Sequence, residues 1–118
     1  VLCRRDTQEK VTVGLDKIDE AIEKMLEDIH NNMYKICKER LEDRTTSVTT
    51  LDEFIEQIDK KQGFIKGMFC GDPACEEKLK DLTAAKSRCI PKEQEHLSDK
   101  CFICGRPAKQ MVIWGRQY

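Results

Sequence analysis

Two scarcities bound what this chain can be. Aromatic residues make up only 6% of its 118 residues, so any hydrophobic core is thin. No stretch approaches the roughly 20 consecutive apolar residues of a membrane span, and no apolar leader stands at the front. We therefore expect a soluble, cytosolic piece with no membrane partner. Histidine is nearly lacking: His30 sits beside an apolar stripe with no ligand partner nearby, and His96 is the only other. A length of 118 residues suits one domain, or a small domain with an appendage. Since Val1 to Arg5 reads as a strand in mid-flow, a fragment of something longer is the expectation.

Cysteine, by contrast, is plentiful, and four of the seven fall into two close pairs. Cys70 and Cys75 have four residues between them, Cys101 and Cys104 two, and the stretch separating the pairs is long enough to fold back. That arrangement brings four thiolates to one tetrahedral Zn²⁺. In the Cys101 to Pro107 knuckle, Gly105 can take the positive φ that turns backbone N–H groups toward a thiolate, and Pro107 ends the turn. After Cys70, Asp72 is a good N-cap and Pro73 a good first helical residue, which places Cys75 in the first turn of a helix. The helix dipole there favours a thiolate. Four sulfur ligands leave no position for water, so the metal is structural rather than hydrolytic.

Three other readings compete. A thioredoxin-like redox pair needs its Cys-x-x-Cys to open a helix in a βαβ setting, whereas this one runs into Gly-Arg-Pro. Two disulfides are a further option, set against an odd cysteine count and no signal peptide. Cys89 and His96, between the pairs, are substitute ligands whose strand and loop positions count against them.

The remaining residues outline an α+β chain: a long connecting helix, then a small zinc-stabilised α/β unit with a short sheet. Val1 to Arg5 and Val11 to Val13 read as a hairpin around a polar turn, with Cys3 packed in the sheet as a small hydrophobe. Two strands alone are marginal, so this hairpin is expected to complete a larger sheet. From Leu15 to Leu41 apolar residues recur at spacings of three and four, predicting one helix to about Arg44. Its stripe is read as docking against a larger parent in preference to a coiled-coil seam. Arg44 to Thr49 breaks the helix, and Thr50 to Glu53 forms a capping box that opens a second helix ending at Lys60-Lys61. The zinc unit, residues 63–118, then offers a strand at Phe64 to Phe69 and a helix showing Cys75, Leu79 and Leu82 on one face. A strand at Lys86 to Pro91, a polar loop over residues 92–100 and a last strand from Lys109 to Trp114 complete it. About 55 residues bury too little surface to be secure without the metal.

Charge excludes a simple role for this piece. Residues 1–62 hold 11 Lys and Arg against 15 Asp and Glu, while residues 63–118 hold 10 against 7. Four thiolates and one Zn²⁺ bring the second part to about +1, no strong nucleic-acid footprint. A free-standing zinc ribbon that binds nucleic acid or protein is the rival reading, and a partner-docking module using the long stripe is another. Arg4 and Arg5 are candidate RNA contacts, with a solvated strand face as the plainer reading.

The ordered set Cys70-Gly71-Asp72, Cys75-Glu76, Cys89-Ile90-Pro91, Cys101-x-x-Cys104-Gly105, Pro107-Ala108-Lys109 and Gly115-Arg116-Gln117-Tyr118 resembles the C-terminal zinc-binding domain of prolyl-tRNA synthetase, archaeal and eukaryotic type. Arg4-Arg5-Asp6-Thr7 with Glu9-Lys10 is similar to the end of that enzyme's anticodon-binding domain. The resemblance makes residues 1–14 the end of that domain, 15–62 linker helices and 63–118 the zinc-binding domain. Gln8 stands where the family often has Gly, and Lys92 where it commonly has an aromatic. The family implies a cytoplasmic class II ligase, a homodimer, that uses ATP and Mg²⁺ to activate proline and transfers it to tRNA(Pro). None of that chemistry is in this segment, whose catalytic motifs belong upstream. The resemblance also places the Tyr118 carboxylate near the active site of the catalytic domain, with Arg116 as its neighbour.

Overall fold

The computed structural model describes residues 1–116, which form two compact units, Val1–Glu42 and a second beginning at Asp43. In the first, β1 (Leu2–Cys3) and β2 (Lys10–Val11) pair antiparallel, Leu2 opposite Val11 and Cys3 opposite Lys10. The hairpin is shorter than the sequence implies because its turn closes early. Gln8 takes φ +63° and donates its backbone N–H to the Arg4 carbonyl at 3.0 Å. The turn therefore puts Gln8 in the left-handed region, which glycine would enter without steric cost. Cys3, expected to be packed in a larger sheet that this hairpin completes, is exposed in the two described strands.

After a 3-10 turn at Leu15–Lys17, helix α1 runs over Ile18–Asp43, about 39 Å at about 1.5 Å per residue. None of its residues is buried, and Leu26, Met33 and Leu41 stand more than half exposed. A polar contact ties it to the hairpin: Asn32 Nδ2 donates to Asp6 Oδ2 at 2.8 Å. The same carboxylate takes both Arg4 Nε (3.1 Å) and a terminal guanidinium nitrogen (2.8 Å). Arg4 beside it holds Asp6 far below the ordinary carboxylate range.

The second unit is a four-stranded sheet of order β3-β4-β6-β5, in which β3 is parallel to β4 and the other neighbours are antiparallel. The strands are β3 (Thr45–Ser47), β4 (Phe64–Phe69), β5 (Ala85–Cys89) and β6 (Gln110–Arg116), and the helices α2 (Leu51–Lys60) and α3 (Pro73–Thr83). The segment that reads only as a helix breaker thus contributes an edge strand, its Thr and Ser residues extended against Phe64 to Lys66. Helix α2 starts as expected, Thr50 Oγ1 accepting from Glu53 N–H while the Glu53 carboxylate takes the Thr50 N–H. It belongs to this unit, and its Phe54 and Ile58 are buried.

The core lies on one face of the sheet. Pairing sets Ile65 opposite Trp114 and Gly67 opposite Val112, so these residues share a face with the fully buried Phe54 and Leu79. Phe102 stacks on Phe54 at 5.0 Å between centroids, and Trp114 meets Phe69 and Phe102 edge-on at 5.2 and 5.7 Å. Few aromatics suffice because four of them form this one cluster. One prediction fails at α3, where Leu82 is exposed and Thr83 is buried instead. Steps of four residues from Cys75 through Leu79 reach Thr83, whose hydroxyl is satisfied by donating to the Leu79 carbonyl at 2.7 Å. Between β5 and β6 the polar loop is anchored by Gln94, which accepts from Met111 N–H at 2.7 Å and donates to its carbonyl at 3.2 Å. A side-chain amide there takes the place of a strand partner.

Candidate metal centre

Each cysteine pair is positioned by local backbone chemistry. Cys70 follows the last residue of β4, and Gly71 turns the chain with φ +84°. Asp72 then caps α3, its Oδ1 accepting from Ala74 N–H at 2.9 Å, and Pro73 is the first helical residue. Cys75 therefore stands in the first turn. The second pair is carried by a hairpin-like loop: Cys101 N–H donates to the Arg106 carbonyl (2.8 Å) and Gly105 N–H to the Cys101 carbonyl (2.9 Å), with Gly105 at φ +73°. Phe102 N–H donates to the Met68 carbonyl (3.1 Å) and Lys109 N–H to that of Phe69 (2.8 Å), docking this loop on β4.

The two stretches converge. The sulfurs of Cys70, Cys75, Cys101 and Cys104 all lie within 4.8 Å of one another, three of these residues buried and Cys104 exposed. Cys70 is 3.7 Å from Cys75 and 3.8 Å from Cys104, far beyond the roughly 2.05 Å of a disulfide. All seven cysteines are unbridged, and Cys3, Cys37 and Cys89 are exposed. Neither Cys89 nor His96 belongs to the cluster; His96 instead contacts Asp99 at 2.9 Å.

The electrostatics of the four thiols are divided. Burial pushes Cys75 up to about 12, with the Cys104 and Cys70 thiols adding to it, and burial likewise raises Cys101. Burial also acts to raise Cys104, but the Arg106 backbone N–H and guanidinium outweigh it, bringing Cys104 down to about 6. A metal ion bound among them would supply the positive charge that favours their thiolate forms. Arg106 is the residue that sequence reasoning misses: the knuckle is legible, but not the reach of this side chain to Asp72, whose Oδ2 accepts from it at 2.5 Å.

The thiols are continuous with the core through Phe102. A Cβ on Gly67 would meet the Phe102 ring at 2.7 Å, so glycine at this strand position is what lets the aromatic beside Cys101 lie flat on the sheet. Gly67→Ala is expected to cost about 1–3 kcal/mol by overpacking and to weaken metal uptake in parallel, measured by thermal denaturation and chelator competition.

Comparison with known proteins agrees with this architecture. A family profile described as "Prolyl-tRNA synthetase, C-terminal" matches residues 51–118. The chain belongs to that family. Proline–tRNA ligase 2 of Bacillus thuringiensis subsp. konkukian is 51% identical over all 118 residues, and the proline–tRNA ligase of Clostridium novyi 50%. In both cases the chain spans 25% of the relative's length. Among solved structures, the prolyl-tRNA synthetase of Cryptosporidium parvum, crystallised with L-proline and AMP, superposes with a TM-score of 0.87 at 32% identity, over 97% of this chain and 25% of that one. This prolyl-tRNA synthetase C-terminal chain thus carries a cysteine cluster that could hold a metal ion.

The other residues singled out in the sequence lie elsewhere. Arg4 is engaged by Asp6, and Arg5 is exposed. Arg116 ends β6, donating from Nε to the Thr83 carbonyl (2.9 Å) and from a terminal nitrogen to Asp59 Oδ1 (2.7 Å). Tyr118 lies outside the described residues. Among those residues no helix is long and apolar enough to cross a membrane.

Proposed function

We propose that this chain is the non-catalytic C-terminal portion of a proline–tRNA ligase, a cytoplasmic class II enzyme, and that Cys70, Cys75, Cys101 and Cys104 hold a structural Zn²⁺. The observation that carries the metal is the spacing of the sulfurs. A tetrahedral centre with Zn–S bonds of about 2.3 Å has sulfur-to-sulfur edges of about 3.8 Å, and Cys70 stands 3.7 Å from Cys75 and 3.8 Å from Cys104. Four thiolates close the coordination shell, so the ion supplies cohesion and no bound water for chemistry. ATP, Mg²⁺ and tRNA(Pro) are handled by the rest of the ligase, a homodimer in this reading.

Family membership and the exposed residues support the rest of this assignment. The apolar stripe of α1 is left unburied in the described chain, in keeping with a helix that packs against the larger enzyme. Arg5 is free to approach an RNA phosphate, whereas Arg4 is engaged by Asp6. Arg116, braced by Asp59 and Thr83, fixes the base from which the tail leaves β6, and Tyr118 is the residue delivered to the active site of the catalytic domain.

The test uses the full ligase. Deletion is confined to Gln117 and Tyr118, because removing Arg116 would also break its brace. Aminoacylation is expected to fall by about tenfold or more in kcat, with metal content and thermal stability retained. Unchanged steady-state kinetics would remove the tail from the mechanism.

A further inference from the structure

We propose that Arg106, held by Asp72, is a positioning residue that joins the two ligand pairs and offsets the negative charge of the metal centre. The inference rests on the reading of the four cysteines as metal ligands and adds a role for a residue outside that set. Arg106 Nε lies 3.4 Å from Cys104 Sγ, and one of its terminal nitrogens 3.7 Å from Cys75 Sγ. The guanidinium therefore donates to one sulfur from each pair. The same terminal nitrogen donates to Asp72 Oδ2 at 2.5 Å, while the other oxygen of that carboxylate caps α3.

Four thiolates around a divalent ion carry a net charge of about −2. A permanently charged group that donates N–H bonds to two of the sulfurs lowers the electrostatic cost of assembling them. Arginine suits the position and lysine does not, because the planar fork spans both sulfurs and the carboxylate at once, whereas an ammonium is a point charge. Asp72 has two tasks with two oxygens. It starts the helix that presents Cys75, and it aims the cation that links Cys75 to Cys104. Helix start, knuckle and metal are in this way one assembly.

The test loads the 118-residue chain with Co²⁺, which reports its sulfur ligands through charge-transfer absorption, and follows transfer of the ion to a competing chelator. Arg106→Ala is expected to release metal about 10–100-fold faster and to move the sulfur-to-cobalt band to lower energy, since thiolates without N–H donors are easier to oxidise. Arg106→Lys falls between, keeping the charge and losing the fork. Asp72→Asn still caps α3, asparagine being an equally good N-cap, yet it loosens Arg106 and shifts both readouts the same way. Should Arg106→Ala fail to fold, Asp72→Asn and Arg106→Lys decide. A 1:1 Co²⁺ complex whose release rate and band position stay within about twofold and unshifted in these variants overturns the role of Arg106 alone. An unaltered chain that takes up no Co²⁺ overturns the metal site and the inference together.

Discussion

Stripping the metal with a strong chelator at neutral pH is expected to abolish the cooperative thermal transition of the unit that begins at Asp43, and adding Zn²⁺ back to restore it. Structural zinc in small domains contributes on the order of 10 kcal/mol or more in apparent binding energy, against a net stability of about 5–15 kcal/mol for a typical domain. An ion held by the four cysteines would join the end of β4 and the start of α3 to a loop that carries Phe102 into the core. Its loss releases both ligation and packing. Acid should do the same by degrees. Burial keeps Cys75 and Cys101 protonated at neutral pH when no metal is bound, so the ion must expel a proton from each. Apparent affinity therefore rises with pH through neutrality. Below about pH 6, where Cys104 also takes up a proton, the dependence steepens. Metal release followed against pH tests the sign; affinity that falls as pH rises would contradict it.

The second large effect is expected at Trp114. Its side chain is fully buried and meets Phe69 and Phe102 edge-on, so Trp114→Ala should cost about 3–5 kcal/mol. It should also lower metal affinity, because Phe102 adjoins the proposed ligand Cys101 and folding and binding share one equilibrium. Trp114→Phe is expected to cost much less. It keeps a ring in the cluster and deletes a buried indole N–H that has no hydrogen-bond acceptor among the described residues. Denaturant titration by circular dichroism orders the three proteins. Equal losses for Ala and Phe would show that the ring packing is not what matters.

Much of this fold is readable from short-range chemistry. Cysteine spacing points to the four-cysteine cluster, Thr50 with Glu53 to the start of α2, and Asp72-Pro73 to that of α3. These signals are local and each has a direct physical cause. What the sequence hides depends on partners distant along the chain. Thr45–Ser47 is too short to announce a strand and becomes one only by pairing with Phe64 to Lys66 across α2. The capacity of Gln94 to act as a strand partner for Met111 exists only once the sheet is built. Arg106 lies in the knuckle next to Gly105, where a polar residue is unremarkable, and its importance comes from Asp72 on the other ligand stretch. Cys3 is exposed in the two-stranded ribbon, and the larger sheet that would pack it lies outside the described residues.

Counting reactive thiols in the native 118-residue chain tests the central claim most directly. With the metal in place, three cysteines should react promptly with an aromatic disulfide reagent, namely the exposed Cys3, Cys37 and Cys89, and the other four only after chelator is added. If instead Cys104, exposed and ionised above about pH 6, reacts first in protein that is folded and contains no metal, the four sulfurs are not the ligands of a structural ion.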